Sequence, residues 1–315
     1  MTKHTSLNTP GLTMLAALGI AGLMMAAATA VADRPLPPSP DQARAANDAD
    51  GRLDPAPRQV PEPIDLDHHH LFNRAPREAL RPLAPEPHPY TTEPGWFQIE
   101  IDPLNFTYNR DGDERTYAFE VPVLFKAGVL ENVDFHIGVD AFVWEKVRDR
   151  DTRQRERDHG FGDLTLASKI NLWGNDGGDS AASVYPFLVL PTARHDLGPD
   201  GVEGGVMLPT FWDLGYVELE FTPWAAAIRG GGANRYEGEF GQLTVLSRGI
   251  TDELVGFVEF ESVFFTEAGE DWVGIVATGL TWERWEDTVI EAGIGFGVTS
   301  AADTLNAFIT VVQRF

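Results

Sequence analysis

From residue 95 onward, the sequence is dominated by runs in which every second residue is apolar. In the run "TYAFEVPVLFK" one face is wholly apolar, and it consists of Tyr117, Phe119, Val121, Val123 and Phe125. A period of two is typical of β-strands, because successive side chains point to opposite faces of the sheet. The run "VDFHIGVDAFVW" repeats the pattern with Val133, Phe135, Ile137, Val139, Ala141 and Val143. This alternation predicts an all-β fold.

About twelve such runs can be counted, each of roughly 10 to 14 residues, whereas strands of globular sheets usually have about five or six. Clusters of Gly, Asp and Asn separate the runs, as expected for turns. The predicted spans are 96–108, 115–126, 132–145, 160–173, 181–191, 205–214, 215–228, 238–249, 253–266, 271–283, 287–299 and 304–315. A phase slip is expected near Pro103, because proline cannot donate a hydrogen bond to a neighbouring strand.

Two folds accommodate this alternation: a soluble sandwich, whose apolar face is the core, and a barrel in lipid. The strand lengths fit the ~9 to 11 residues that a strand needs to cross a bilayer. The predicted connections also alternate between short turns and long loops, the long ones being 145–159, 191–204 and 229–237. Because that alternation is typical of outer-membrane proteins, we predict a transmembrane antiparallel up-and-down β-barrel of about 12 strands.

The first 32 residues predict a secretory signal peptide. An apolar stretch at 12–28 is followed by the small residues "AVA", which fit a cleavage site after Ala32. The stretch is shorter than the ~20 residues of a spanning helix, and this disfavours a membrane anchor. We therefore expect export through the inner membrane, cleavage near Ala32 and localisation in the cell outer membrane.

Residues 33–94 hold 14 of the 22 prolines and few aromatic residues. A segment of this composition buries too little apolar surface to offset the entropy of ordering, so we predict a disordered, Pro-rich periplasmic extension before a barrel at 95–315. The triplet His68–His70 and the later His88 raise the question of a metal site. Histidines in a flexible segment lack the fixed geometry of such a site, and no metal or cofactor is predicted.

The formal net charge of −24 argues against nucleic acid and anionic lipid headgroups as general electrostatic partners. The chain has no cysteine, so disulfides cannot contribute to its stability outside the cytoplasm. Composition therefore favours cations or neutral ligands over anions.

The inward faces of the predicted strands carry most of the ionisable residues, because charges on the lipid face are costly. The candidate lumen-lining residues are Glu120, Asp134, His136, Asp140, Asp163, Lys169, Glu218, Glu220, Arg248, Glu259, Glu261, Glu291 and Arg314. Nine of these are acids, and such a lumen favours cations or neutral polar solutes over anions. The alternative is a lumen crossed by salt bridges that close the pore and rigidify the barrel.

Two predicted outer loops raise further possibilities. The loop "EKVRDRDTRQRERDH" mixes basic and acidic residues, which is typical of a solvated surface loop, although it would also suit lipopolysaccharide phosphates. The loop "PTARHDLGPDGVEGG" has Asp196 and Asp200, but these lack the spacing of a regular calcium loop. The closing strand ends in Phe315, a candidate signal for the barrel-assembly machinery, and outer-membrane lipid and lipopolysaccharide are the expected surroundings.

Several stretches together resemble the outer-membrane transporter family labelled "putative MetA-pathway of phenol degradation". They are "PYTTEPGWFQIEIDPLNFTYNRDGD" (89–113), "GFGDLTLASKINLWGNDGG" (160–178), "YPFLVLPTA" (185–193) and "VEGGVMLPTFWDLG" (202–215). "GFVEFES" and the final "QRF" also fit, so the resemblance covers roughly residues 85–315. It implies an outer-membrane barrel grouped with channels for aromatic or other hydrophobic compounds.

We therefore predict a channel or transporter for small molecules, with hydrophobic or aromatic compounds implied only by the resemblance. A non-conducting anchor that displays loops or the proline-rich extension is the first alternative. A lipid hydrolase is the second alternative, and it would require a nucleophile beside His136. No serine lies next to His136 in the sequence. Ser168, a possible nucleophile from another strand, is expected to face lipid. No catalytic residue is predicted.

Overall fold

The computed structural model describes residues 74–194, 197–230, 235–267 and 271–315. The predicted signal peptide, residues 33–73 with His68–His70, and Asp196 lie outside these ranges. A 3₁₀ turn η1 (Arg77–Ala79) precedes the strands β1 (Phe97–Asp111), β2 (Glu114–Leu130), β3 (Val133–Asp149), β4 (Arg155–Gly160), β5 (Leu164–Trp173), β6 (Ser180–Leu190), β7 (Glu203–Met207), β8 (Thr210–Asp213), β9 (Glu218–Arg229), β10 (Tyr236–Gly249), β11 (Leu254–Phe265), β12 (Val273–Trp285), β13 (Thr288–Gly297) and β14 (Leu305–Arg314).

These strands form one closed antiparallel barrel. Sequential neighbours pair around the sheet, and β14 pairs with β1 to close it. Two barrel strands are each interrupted, one into β4 and β5 and the other into β7 and β8, so the fourteen segments build twelve barrel strands. The predicted up-and-down barrel of about 12 strands is confirmed. The pairing of β14 with β1 closes the barrel and leaves it without a free edge of its own, whereas β4 pairs only with β3 among the described strands.

The outer face of the barrel is apolar. Large hydrophobic side chains such as Phe135, Leu188 and Phe264 are each more than half exposed. Their alternate neighbours along the strands, such as His136 and Phe187, are buried. This reverses the arrangement of a soluble sheet and fits a barrel surrounded by hydrocarbon. Among the described residues, no helix has the length and hydropathy to cross a membrane.

Two of the register shifts in the sheet bear on the predicted faces. The register between β1 and both of its neighbours changes at Pro103, so the expected slip at this proline is confirmed. A second shift lies between β2 and β3, where Val121 pairs with Phe142 and Pro122 pairs with Asp140. The extra residue turns Val143 inward, and its side chain is buried. The prediction that Val143 lies on the apolar outer face is therefore wrong, because a bulge inverts the faces beyond it.

The predicted outer loop 145–159 is mostly strand. β3 continues to Asp149 and pairs with β4 from Arg155, so only residues 150–154 connect the two strands. Arg153 takes the left-handed conformation (φ 60°) within this tight connection. The alternating charges of this stretch are therefore sorted onto two faces of a hairpin, which the prediction of a solvated loop did not anticipate.

Residues 74–96 form a segment that begins mostly exposed at 74–79 and becomes buried at 86–94; it is called the inserted segment below. Ala75 N–H donates to Pro94 O (2.9 Å), so the two ends of this inserted segment lie side by side and the residues between them form a loop. Residues 86–94 are buried throughout. The prediction of a disordered periplasmic extension is wrong for residues 74–94, because proline-rich sequence without a core of its own is here ordered against the barrel wall.

Candidate functional site in the barrel interior

Gly128 on β2 allows the inserted segment to lie directly against the wall. Pro94 and Gly128 form an isolated bridge, and Gly128 N–H donates to Trp96 O (3.1 Å). A Cβ atom at Gly128 would come within 1.9 Å of the Glu93 carbonyl oxygen. Only glycine fits this close approach.

Glu86 is the ionic centre of the inserted segment. Its Oε1 atom lies 3.0 Å from Lys126 Nζ on β2 and 2.7 Å from Lys169 Nζ on β5. Lys126 Nζ also lies 3.0 Å from Glu100 Oε2 on β1, and His88 Nε2 lies 3.4 Å from Glu86 Oε1. All of these side chains are at most 5% exposed. Two buried lysines thus depend on two buried carboxylates, one of which belongs to the inserted segment.

Backbone groups of the inserted segment are bound by the same wall. Lys169 Nζ donates to Tyr90 O (3.0 Å), and Asn171 Nδ2 donates to Pro89 O (3.0 Å). Buried carbonyls need such hydrogen-bond partners. The interior side that carries Glu100, Lys126 and Lys169 is called the paired wall below.

Two arginines fix the segment at the end of the barrel where β14 closes. Arg314 lies 3.4 Å from both Glu93 and Asp287, and it donates to Arg81 O (2.9 Å). Arg81 donates in turn to Thr91 O (3.0 Å). Partial burial acts to raise the pKa of Asp287, but hydrogen bonds donated by Arg77 and Arg314 outweigh it, and this pKa lies below its ordinary value.

His136 lies in a buried hydrogen-bonded chain. Its Nε2 atom is 2.8 Å from Asp134 Oδ1, and its Nδ1 atom is 3.0 Å from the Tyr185 hydroxyl. Asp134 also accepts from Thr92 N–H of the inserted segment (2.6 Å). Ser168 lies on the opposite face of its strand, and its hydroxyl donates to Asp134 O (2.9 Å). Both ring nitrogens of His136 are therefore occupied, and the serine that a hydrolase would need is directed away from it.

The opposite side of the interior differs in composition. A buried apolar cluster extends to it from Tyr185 on β6 beside His136, and this cluster also includes Phe187, Met207, Trp224, Leu243 and Val263. Five glutamates face the interior from β9 to β13 and make no ion pair with any described residue: Glu220, Glu239, Glu259, Glu261 and Glu291. Trp224 Nε1 donates to Glu239 Oε1 (2.8 Å), and the Thr281 hydroxyl donates to Glu291 (2.7 Å). This side, defined by the five glutamates, is called the unpaired wall.

The structure places most of the predicted lumen residues on the interior face. Asp134, His136, Asp140, Asp163, Lys169, Glu259, Glu261 and Arg314 are buried. Glu120, Glu220 and Glu291 are partly buried on the same face, and Glu218 is exposed at the end of its strand. Asp163 accepts hydrogen bonds from Thr192 N–H (2.7 Å) and Ala193 N–H (2.8 Å), and Asp200 is exposed.

Arg248 is the exception. It lies on the outer face with Phe240 and Leu246, whereas Leu243, on the other face of the same strand, is buried. Its guanidinium is 3.7 Å from the ring centroid of Tyr216, which is also exposed. The inward assignment of Arg248 is wrong, because both faces of β10 carry apolar residues and the pattern there does not identify the lipid side.

Sequence reasoning missed several interior residues of the site: Glu86, His88, Glu93, Glu100, Asp102, Lys126 and Glu239. Glu100 and Lys126 follow the strand alternation and could have been found from it. The residues of the inserted segment gave no periodic signal. Within the described ranges, no group of three or more His, Asp or Glu side chains has the arrangement of a metal site.

Comparison with known proteins extends these observations. The family model described as "Putative MetA-pathway of phenol degradation" matches residues 87–223, starting within the inserted segment. A crystal structure of an outer membrane channel from Pseudomonas putida F1 is similar with a TM-score of 0.57 and 11% identity, over 74% of this chain and 100% of that chain. No curated protein sequence matches.

Two other barrels are more distantly similar. The NanC porin has a TM-score of 0.45 and 10% identity, over 68% of this chain and 98% of that chain. The transport unit of the autotransporter AIDA-I from Escherichia coli has a TM-score of 0.45 and 10% identity, over 69% of this chain and 89% of that chain. At this level of identity, structural similarity concerns the fold. The predicted resemblance is confirmed over residues 87–223: the chain is an antiparallel β-barrel of twelve strands, with the fold of outer-membrane barrels, that resembles the family described as "Putative MetA-pathway of phenol degradation".

Proposed function

We propose that the protein is an outer-membrane channel whose interior admits neutral and cationic small molecules in preference to anions. The observation that carries this proposal is the unpaired wall. Its five glutamates face the interior without an ion pair to any described residue, so a cationic solute moving past them would meet carboxyl groups that no ion pair occupies. Rings of acidic side chains are a recurrent basis of cation selectivity.

The apolar cluster supports hydrophobic or aromatic solutes. Phe187, Trp224 and Met207 belong to one buried apolar cluster on the interior side of the barrel, and each is at most 5% exposed. Aromatic compounds that reach this cluster when its side chains move would gain both contact area and ring stacking. The family description, which names a pathway of phenol degradation, supports this solute class.

The inserted segment is the proposed determinant of whether the channel is open. It occupies the side of the interior along the paired wall, where Glu86, Glu93 and Arg81 hold it. Displacement of these residues would widen the passage along the unpaired wall.

Planar-bilayer recording under a salt gradient tests the proposal. We expect a reversal potential that indicates cation preference, and a shift toward no preference when Glu259 and Glu261 are both changed to glutamine. Anion preference, or no conductance at any voltage, would remove the channel proposal. Uptake of matched aromatic amines, alcohols and acids by a deletion strain, with and without the protein, identifies the solute class.

A non-conducting barrel is the second candidate, and the buried ion pairs of the inserted segment favour it. On that alternative, wild-type protein and a Glu86→Gln variant would both fail to conduct, although both fold. Esterase and phospholipase assays on the purified protein address the hydrolase alternative.

A further inference from the structure

Six cations lie together on the outer face of the barrel, where β1 to β4 extend beyond the long apolar runs. In one row of the sheet, Arg110 pairs with Arg115, Arg115 with Arg148, and Arg148 with Arg155. In the next row, Tyr108, Tyr117, Lys146 and Arg157 are paired in the same way. The outer basic patch is defined as Arg110, Arg115, Lys146, Arg148, Arg155 and Arg157.

The opposite face of the same four strands is acidic. Its carboxylates are Asp111, Glu114, Glu145, Asp149, Glu156 and Asp158. Strand alternation has therefore separated a sequence that reads as mixed charge into a basic outer face and an acidic inner face. Two strand faces of opposite charge cannot neutralise each other through direct ion pairs, because their side chains point apart.

The outer basic patch has no internal compensation. None of its six cations forms an ion pair with a described residue, and the buried Nε atoms of Arg115 and Arg148 have no hydrogen-bond partner there. Like charges directly opposite each other on neighbouring strands destabilise a sheet. An arrangement with three such contacts in one row indicates that an anion outside the chain offsets the repulsion.

The position of the patch identifies where that anion lies. The row beneath it consists of Phe106, Phe119, Trp144 and His159. The Tyr108 and Tyr117 rings, 5.2 Å apart, lie between the apolar row and the arginines, and Lys146 Nζ is 5.8 Å from the Tyr117 ring centroid. Across the boundary from hydrocarbon to headgroups, apolar residues are expected first, then tyrosines and then cations. The three rows of side chains follow this order.

We propose that the outer basic patch binds the phosphate groups of lipopolysaccharide in the outer leaflet. Four adjacent strands span about 14 Å, and the two rows lie about 7 Å apart, so the patch is wide enough for two or more phosphate groups of one glycolipid. Arginine suits such a site, because its planar guanidinium binds phosphate oxygens in pairs. The acyl chains of that lipid would contact Phe106, Phe119 and Trp144 below.

The test uses the full-length protein purified in detergent and incubated with bisphosphorylated lipid A, with the lipid retained measured by native mass spectrometry. The quadruple variant replaces four cations of the patch by glutamine: Arg115→Gln, Arg148→Gln, Arg155→Gln and Arg157→Gln. Because each cation removed should weaken lipid binding about fivefold, this variant should retain lipid A more than roughly 100-fold more weakly. Arg155→Gln alone, an exposed residue, provides a variant with little risk to folding. Folding of each variant is checked by gel electrophoresis, because a folded barrel migrates differently before and after heating.

Two controls separate the patch from general charge effects. Arg284→Gln removes an exposed cation from the other end of the barrel, and Glu156→Gln with Asp158→Asn removes charge from the inner face of the same hairpin. Both should leave retention unchanged. Enzymatically dephosphorylated lipid A should bind at least about tenfold more weakly than the bisphosphorylated form.

The proposal would be overturned if the Arg155→Gln variant and the quadruple variant were both folded and both retained as much lipid A as the wild type. Equal binding of dephosphorylated lipid A, or of phosphatidylglycerol, would also overturn it, because the patch would then recognise any lipid or any anionic headgroup. These outcomes do not depend on whether the barrel conducts.

Discussion

The paired and unpaired walls face the same interior, but their charges are balanced in different ways. On the paired wall, Lys126 and Lys169 are matched by Glu100 and by Glu86 of the inserted segment. On the unpaired wall, none of the five glutamates forms an ion pair with a described residue. Removing a carboxylate therefore has opposite consequences on the two sides: it leaves a buried cation without a partner on one and relieves repulsion on the other. The difference indicates that the paired wall binds the chain itself and that the unpaired wall is left for solutes.

The largest expected effect comes from Glu86→Gln. The substitution keeps the shape of the side chain but leaves Lys169 with a carbonyl as its remaining partner and Lys126 with Glu100 alone. Breaking a buried ion pair by removing one partner typically costs about 3–5 kcal/mol. Equilibrium urea unfolding in detergent micelles should show a loss of this order, and single-channel recording should show a higher conductance.

Glu78→Gln is the matched control for this prediction. Glu78 belongs to the same segment but is exposed. We expect no more than about 0.5 kcal/mol of change, as for other surface substitutions. If the two variants unfolded at the same urea concentration, the contrast between the two walls would not hold.

Gly128→Ala should have the next largest effect. The new methyl group would overlap the Glu93 carbonyl oxygen, and either the inserted segment or β2 must move. Overpacking of this kind costs about 1–3 kcal/mol. Urea unfolding measures the cost, and protease sensitivity of residues 74–94 reports whether the segment is displaced.

Gly249→Ala serves as the comparison, because a methyl group there would come no closer than 3.8 Å to its nearest neighbour. The prediction fails if the protease cleaves residues 74–94 equally in Gly128→Ala, Gly249→Ala and the wild type. Contact with Gly128 would then not be needed to keep the inserted segment in place.

The alternation of the sequence was sufficient to predict the barrel, its strand number and most interior side chains. A period of two fixes which residues share a face, and burial in lipid requires charges to be on the other. The prediction was wrong where the period is interrupted. Val143 changed sides because a bulge opposite Pro122 adds a residue to β3, and nothing within β3 itself marks this insertion.

The partners of the interior charges could not be predicted in the same way. Lys169 and Glu86 are 83 positions apart, and their contact depends on how the inserted segment runs through the interior. That segment has no periodicity of its own, because the wall supplies its hydrogen-bond partners. Composition predicted that it buries too little apolar surface to order itself, but such a segment can still be ordered by a surface that binds it.

Glu261→Gln should change selectivity with little effect on stability. The side chain is buried, but no described cation depends on it, so its neutralisation leaves no charge orphaned. We expect the free energy of unfolding to remain within about 1 kcal/mol of the wild type or to rise, because repulsion with neighbouring carboxylates decreases. Bilayer recording should show weaker cation preference. A loss of stability as large as that of Glu86→Gln would contradict the assignment of Glu261 to the unpaired wall.

The smallest effect is expected for Arg248→Gln. Because Arg248 lies on the outer face over the Tyr216 ring, its removal costs only a cation–π contact, about 0.5–1 kcal/mol at an exposed site. The reversal potential in a salt gradient should equal that of the wild type, since no charge in the passage changes. A residue inside the lumen would behave differently, because losing one of few interior cations would increase cation preference. A measurable shift in reversal potential would therefore return Arg248 to the interior and would reverse the two faces assigned to β10, including the position of Glu239 on the unpaired wall.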